Sequence, residues 1–185
     1  MRVRQWWPVL AMVLLTVVAG VVYLGTARSI TDGRPVAPLD DAYITFQYAR
    51  QIARGHPYQY NDGDPPTTGM TSPLYGFLLA GFYLVGFTGE RLVALAVSKG
   101  MVWLWLIAWL TYRLTGRLSD GGGGGWVWPF IAAVLVLLTG SVQWGCFNGM
   151  ETGLFTVLTL AALEAFLAQR MGYSALWLGL AALAR

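Results

Sequence analysis

The sequence predicts an all-α fold, a polytopic transmembrane helical bundle with an outer loop that carries a surface helix and a re-entrant or interfacial helix. Three observations carry that expectation. Of 185 residues, 56% are hydrophobic and only 11% charged, whereas a soluble domain carries roughly 25% charged residues to cover its surface. The apolar residues gather into runs of the length needed to cross a hydrocarbon core about 30 Å thick. The only long hydrophilic segment, 26–72, follows the first of those runs.

The same composition narrows the function classes. A net charge of +3 with no Lys/Arg-rich run gives no footprint for nucleic acid. Cys146 is the single cysteine, so there is no internal disulfide framework and no cysteine-based metal site. It reads as a buried thiol at a helix end.

Taken in order, Arg2 and Arg4 precede a first span at 6–24, with Trp6 and Trp7 where interfacial aromatics belong. Gly25 and Ala27 offer a small-x-small cleavage pattern, but the apolar run exceeds the roughly 7–15 residues of a signal-peptide core. An uncleaved helix with a cytoplasmic N-terminus is expected. The outer loop, 26–90, holds a helix at 41–54, in which Ile44, Tyr48 and Ile52 form an apolar stripe and Tyr43, Gln47, Arg50 and Arg54 a second face. Gly55 and Pro57 end it, and Tyr60 to Pro66 is a turn cluster. Ser72 then Pro73, a capping hydroxyl followed by proline at the first helical position, opens a run over 73–87. Further spans are expected at 92–112, 126–144, 152–168 and 174–185. Between the first two of these lie Arg113 and Arg117, then the glycines Gly121 to Gly125, a flexible cytoplasmic connection without the strand or the Lys-Ser/Thr of a phosphate-binding loop.

The run 73–87 decides the topology. It is short for a span. If it does not cross, the arginines at 113, 117 and 170 join Arg2 and Arg4 inside, as the charge rule requires. Gly145 to Glu151 then faces outward with Asp40 and Asp41. The final run stops while still apolar, so 1–185 is expected to be the N-terminal part of one transmembrane domain.

Asp40-Asp41 is the sharpest chemical feature. One aspartate there is explained as a helix N-cap. Two adjacent carboxylates repel, which favours proton transfer or cation binding. Spacing alone leaves both readings open. Asn148 with Glu151 three residues later has the form of a capping box before an apolar run, with contact to substrate or to the Asp40 loop as the alternative. His56 reads as a solvated loop residue. Tyr43, Tyr58, Tyr60 and Tyr75 could stack on sugar rings or act as interfacial residues.

The segment Leu39 to Gly55, continued by Tyr60-Asn61, Gly63-Asp64 and Gly69 to Tyr75, resembles the first outer loop of C-type glycosyltransferases, closest to bacterial arabinofuranosyl- and mannosyltransferase-like members. Asn148-Gly-Met-Glu-Thr152 is similar to that family's small-Gly-Met-Glu-Thr signature. Together the motifs cover about a fifth of the chain, in the right order. The resemblance implies a polyprenyl-phosphate-linked sugar as donor, a lipid, glycan or protein hydroxyl as acceptor, inversion at the anomeric carbon, and a plasma membrane with the active loop outside. By position it implies Asp40 as general base and Asp41 as its acidic neighbour. Arg50 and Arg54 could serve the phosphate or snorkel to lipid phosphates, and Tyr43, Asn148 and Glu151 join the candidate substrate contacts. Two carboxylates could hold a divalent cation, yet no complete set of oxygen ligands assembles from this loop. The alternatives are a non-catalytic membrane protein of the same fold that binds a lipid carrier or aids assembly, and a transporter. The latter would need ionisable residues within the spans, where Lys99 and Glu164 are the candidates and both are expected near helix ends.

Overall fold

The computed structural model describes residues 6–119 and 125–185, which form nine helices and no strand. Arg2, Arg4 and Gly121 to Gly124 lie outside the described residues. Helix α1 (Trp7–Ile30) starts at a Trp-Pro step suited to a first turn and runs 24 residues, about 36 Å at 1.5 Å each. It continues past the expected end at 24, because no breaker occurs before Asp32 and Gly33, both at positive φ. Only 17% of its most apolar window is buried against the rest of the protein.

Helix α2 (Asp40–Ala53) and helix α3 (Pro73–Leu84) follow, packed on one another. The face that α2 buries is not the expected stripe. Ala42, Thr45, Phe46, Tyr48 and Ala49 are buried, whereas Ile44 is exposed and Ile52 only partly covered. Small side chains let the helices approach closely, and that outweighs the pull of isoleucine when its alternative surroundings are also apolar. Ser72 sits at the N-cap of α3 but makes no side-chain capping bond. At 12 residues α3 is about 18 Å long, so the expected 15-residue run is shorter still.

The expected span 92–112 lies inside a longer helix, Glu90–Ser119. It comprises α4 (Glu90–Ser98) and α5 (Gly100–Ser119), joined at Lys99 in helical backbone. Lys99 is thus a third of the way along that helix, not near its end, which corrects the placement expected from sequence. The expected straight span 126–144 is broken. Helix α6 (Val127–Leu138) and helix α7 (Gly140–Phe147) meet at 62° across Thr139, which has extended backbone. Side chains take two of the carbonyls near the break: Thr139 Oγ1 donates to Leu135 O at 2.7 Å and Gln143 Nε2 to Leu137 O at 2.6 Å. Such local satisfaction is what lets a helix break in apolar surroundings. Helix α8 (Thr152–Leu167) and helix α9 (Met171–Leu183) form a final pair, tied by Ser174 Oγ donating to Ala162 O at 3.0 Å. By length and composition, α1 and Glu90–Ser119 could each cross a membrane, and the bent pair α6–α7 adds a third if taken as one span.

Contacts fix which helix ends lie together. Trp7 meets Trp126 and Phe130 edge-on at 4.5 and 5.1 Å, so the start of α1 is beside the start of α6. Tyr23, further along α1, stacks on Phe147 at 4.6 Å, at the end of α7. Helix α5 begins against that same end, since a Cβ on Gly100 would lie 2.6 Å from both the Cys146 carbonyl oxygen and the Phe147 ring. It finishes where Arg113 and Arg117 converge on one oxygen of Glu164, at 2.5 and 2.7 Å. One end of the structure therefore gathers Trp7, Trp126, Arg113 and Arg117, and the other gathers Phe147 and the start of α8. Cys146 is buried in the last turn of α7, as expected.

Among the described residues, Glu164 is the shared ion-pair partner of two half-exposed guanidiniums that clasp α5 to α8. Glu164→Ala should lower stability by about 1–2 kcal/mol, the range of charge-assisted hydrogen bonds discounted for exposure. Arg117→Ala, which leaves Arg113 in place, should cost less. Thermal unfolding of the detergent-solubilised protein ranks the two, and equal losses would count against a shared acceptor.

Candidate functional site

Asp40 and Asp41 occupy the first turn of α2, and the N-cap position belongs to Leu39, in extended backbone. No side chain caps this helix. The expectation that one of the two aspartates is the hydrogen-bonding N-cap is therefore not met. Both aspartates are exposed, and among the described residues neither makes a side-chain hydrogen bond or an ion pair. Their charges still gain from the positive end of the helix dipole. What the structure leaves is a pair of carboxylates committed to nothing else in the fold.

Tyr43, one turn on, holds the approach to this pair. Its hydroxyl accepts the backbone N–H of Ala37 at 3.1 Å, and its ring packs edge-on to Phe46 at 5.5 Å. The loop after α2 folds back along the same helix. Gln47 and Gln51 both donate to the Tyr60 carbonyl, at 2.7 and 3.4 Å, and Tyr48 shares a 2.5 Å hydrogen bond with Thr67. Within that loop, Asp64 accepts the backbone and side-chain N–H groups of Asn61. His56 is exposed there, as expected, and so are Tyr58 and Tyr60.

Arg50 and Arg54 do not join the acidic pair. They lie ten and fourteen residues along from Asp40, about 15 and 21 Å at the helical rise. Arg54 is drawn to Asp62 at 3.4 Å. A hydrogen bond from Gln51, with Arg54, Arg50 and His56 nearby, holds the Asp62 carboxyl below the usual carboxylate range.

Asn148 to Glu151 departs from the capping box. Asn148 is the C-cap of α7, and its Oδ1 accepts the N–H of Met150 at 2.9 Å, two residues on. Glu151 itself stands at the N-cap of α8, without a side-chain cap bond. The box fails because Gly149, at φ +83°, turns the chain before the helix can start. The alternative expectation, contact with the Asp40 loop, matches the packing. A Cβ on Gly149 would lie 3.2 Å from Ala37, 3.4 Å from Phe46 and 3.5 Å from Ala42. The loop thus rests on residues to either side of Asp40-Asp41.

Sequence reasoning missed the residues beneath that loop. Tyr75 is fully buried, so it is not a sugar-stacking surface. Its hydroxyl donates to the Gly149 carbonyl at 2.6 Å and accepts from Lys99 Nζ. Lys99 Nζ also lies 3.9 Å from the Tyr75 ring centroid, and Glu151 acts electrostatically on both side chains. The one sequence signal was a lysine inside an apolar run, costly unless it has a partner. Its partner, 24 residues away, follows no local periodicity.

Among the described residues, no three His, Cys, Asp or Glu side chains converge as a metal site, so a cation held by Asp40 and Asp41 would draw its remaining ligands from elsewhere. No family model matches the chain, and no curated protein or solved structure matches it either.

Proposed function

We propose that this chain is a multi-pass membrane glycosyltransferase that moves a sugar from a polyprenyl-phosphate donor to an acceptor hydroxyl, with Asp40 as general base. The observation that carries this reading is the exposed and uncommitted Asp40-Asp41 pair, backed by the Asn148–Glu151 loop. The resemblance of both segments to C-type glycosyltransferases supplies the reaction class. In the reaction, the acceptor oxygen bonds to the anomeric carbon on the face opposite the phosphate. The carbon–oxygen bond to phosphate breaks, and its electron pair leaves on the polyprenyl phosphate. An alcohol is far too weak an acid to ionise beforehand, so its proton passes to Asp40 as the new bond forms. The phosphate oxyanion is stable and needs little acid assistance. Arg50 and Arg54, well along α2 from Asp40, fit contact with lipid headgroups better than contact with the leaving group.

Membranes carrying the full-length protein, supplied with radiolabelled polyprenyl-phosphate arabinofuranose or mannose and an octyl glycoside acceptor, should yield labelled acceptor. Absence of transfer from both donors would remove the reading in favour of a non-catalytic carrier-binding protein.

The reading also sets a topology, in which the end bearing Arg113 and Arg117 faces the cytoplasm and Asp40 faces outward in a bacterial plasma membrane. The positive-inside rule supports it. In a Cys146→Ser background, Arg117→Cys should react with a membrane-impermeant maleimide only after permeabilisation, and Asp62→Cys in intact cells. The reverse pattern would invert the proposed orientation.

A further inference from the structure

We propose that Lys99 and Tyr75 are positioning residues for the Asp40-Asp41 turn, acting through the Gly149 carbonyl; the catalytic side of this inference rests on the glycosyltransferase reading above. The chain of contacts is continuous. Lys99, partly buried at the α4–α5 junction, donates to the Tyr75 hydroxyl. That hydroxyl, fully buried at the start of α3, donates to the Gly149 carbonyl at 2.6 Å. Gly149, which has no Cβ to hold it away, lies against Ala37, Ala42 and Phe46. Within the segment itself, the Tyr43 hydroxyl accepts the Ala37 N–H at 3.1 Å. The segment 37–46, closed on itself by Tyr43 and packed against Gly149, contains the two aspartates.

The chemistry favours a positioning role over a purely cohesive one. A lysine amine placed among apolar helices is an expensive way to join them, because methionine would fill similar volume without burying a polar group. A hydrogen-bond donor at that place, however, orients the hydroxyl, which an apolar side chain would leave free to turn. With Lys99 occupying its lone pair, the Tyr75 O–H is aimed at Gly149 and nowhere else. The helix Glu90–Ser119 is thus connected through two side chains and one backbone carbonyl to the turn that bears the candidate base.

Tyr75→Phe and Lys99→Met test this in the full-length protein, reconstituted in nanodiscs. Hydrogen exchange should speed up about tenfold at the amides of residues 37–46 in both variants, the effect of losing one buried hydrogen bond from a local opening reaction. The amides of α8 and α9 should keep wild-type protection. Unchanged protection at 37–46 in the variant that folds, or an equal loss across all helices, overturns the proposal. In the transfer assay described above, Tyr75→Phe should lower kcat about tenfold while the donor KM stays within about twofold. A raised KM with unchanged kcat also overturns the positioning role. If wild type transfers no sugar at all, the glycosyltransferase reading fails by itself, and hydrogen exchange still decides whether Lys99 and Tyr75 hold the turn.

Discussion

Asp40→Asn should abolish transfer, lowering kcat by about 10²–10⁴, the range for loss of a general base, while Asp41→Asn lowers it about tenfold or less. The two side chains make a clean comparison. They are adjacent, both exposed, and neither holds a hydrogen bond that the amide would lose. Each substitution removes one charge from the same helix start, so any dipole contribution, roughly 0.3–1 kcal/mol, is shared by both. Differences in folding cannot then explain a difference in rate. The amide keeps the shape of the carboxylate but cannot take the acceptor's proton. Asp41 acts at one remove, as a carboxylate beside the proposed base that does not itself take the proton. Steady-state transfer by equal amounts of membrane-inserted protein measures both, and a larger loss for Asp41→Asn would reverse the roles.

Gly100→Ala should be the most damaging single-methyl substitution in the bundle. The added carbon would lie 2.6 Å from the Cys146 carbonyl oxygen and 2.6 Å from the Phe147 ring. A backbone carbonyl cannot rotate away as a flexible side chain would, so α5 and α7 must separate. Overpacking of this kind costs about 1–3 kcal/mol. Gly179→Ala in α9 is the matched control, because nothing lies within 4 Å of its Cβ position. There the substitution should be neutral or stabilising by up to about 1 kcal/mol, the helix-propensity gain of alanine over glycine. Unfolding midpoints in detergent should separate the two variants. Equal midpoints would mean that α5 and α7 are not in backbone contact.

The all-helical character and the position of α2 were legible from sequence because both rest on long, strongly patterned segments. The helix expected over 41–54 runs from Asp40 to Ala53, and proline placed the start of α3. Other features were hidden for identifiable reasons. The break at Thr139 leaves little trace in an apolar run, since one Thr-Gly step is tolerated in many helices, and the polar groups that satisfy the break lie within a few residues of it. The buried face of α2 was misread because hydrophobic periodicity marks the apolar side, not the side with residues small enough for close packing. Asn148 and Glu151 had the right spacing for a capping box, but the positive φ of Gly149 intervened. At the candidate site, Gly149 of the 148–151 loop packs against Ala37, Ala42 and Phe46, which flank Asp40 and Asp41. Arg50 and Arg54 do not, because helical rise carries them away from the acidic pair. Lys99 and Tyr75 meet only through the tertiary fold.

The most direct measurement of the central claim is the anomeric configuration of the transferred sugar, read by NMR from the product made by the full-length wild-type protein. A single displacement assisted by Asp40 as base predicts inversion relative to the polyprenyl-phosphate donor. Retention of configuration would require a different chemistry at this site and would contradict the assignment of Asp40.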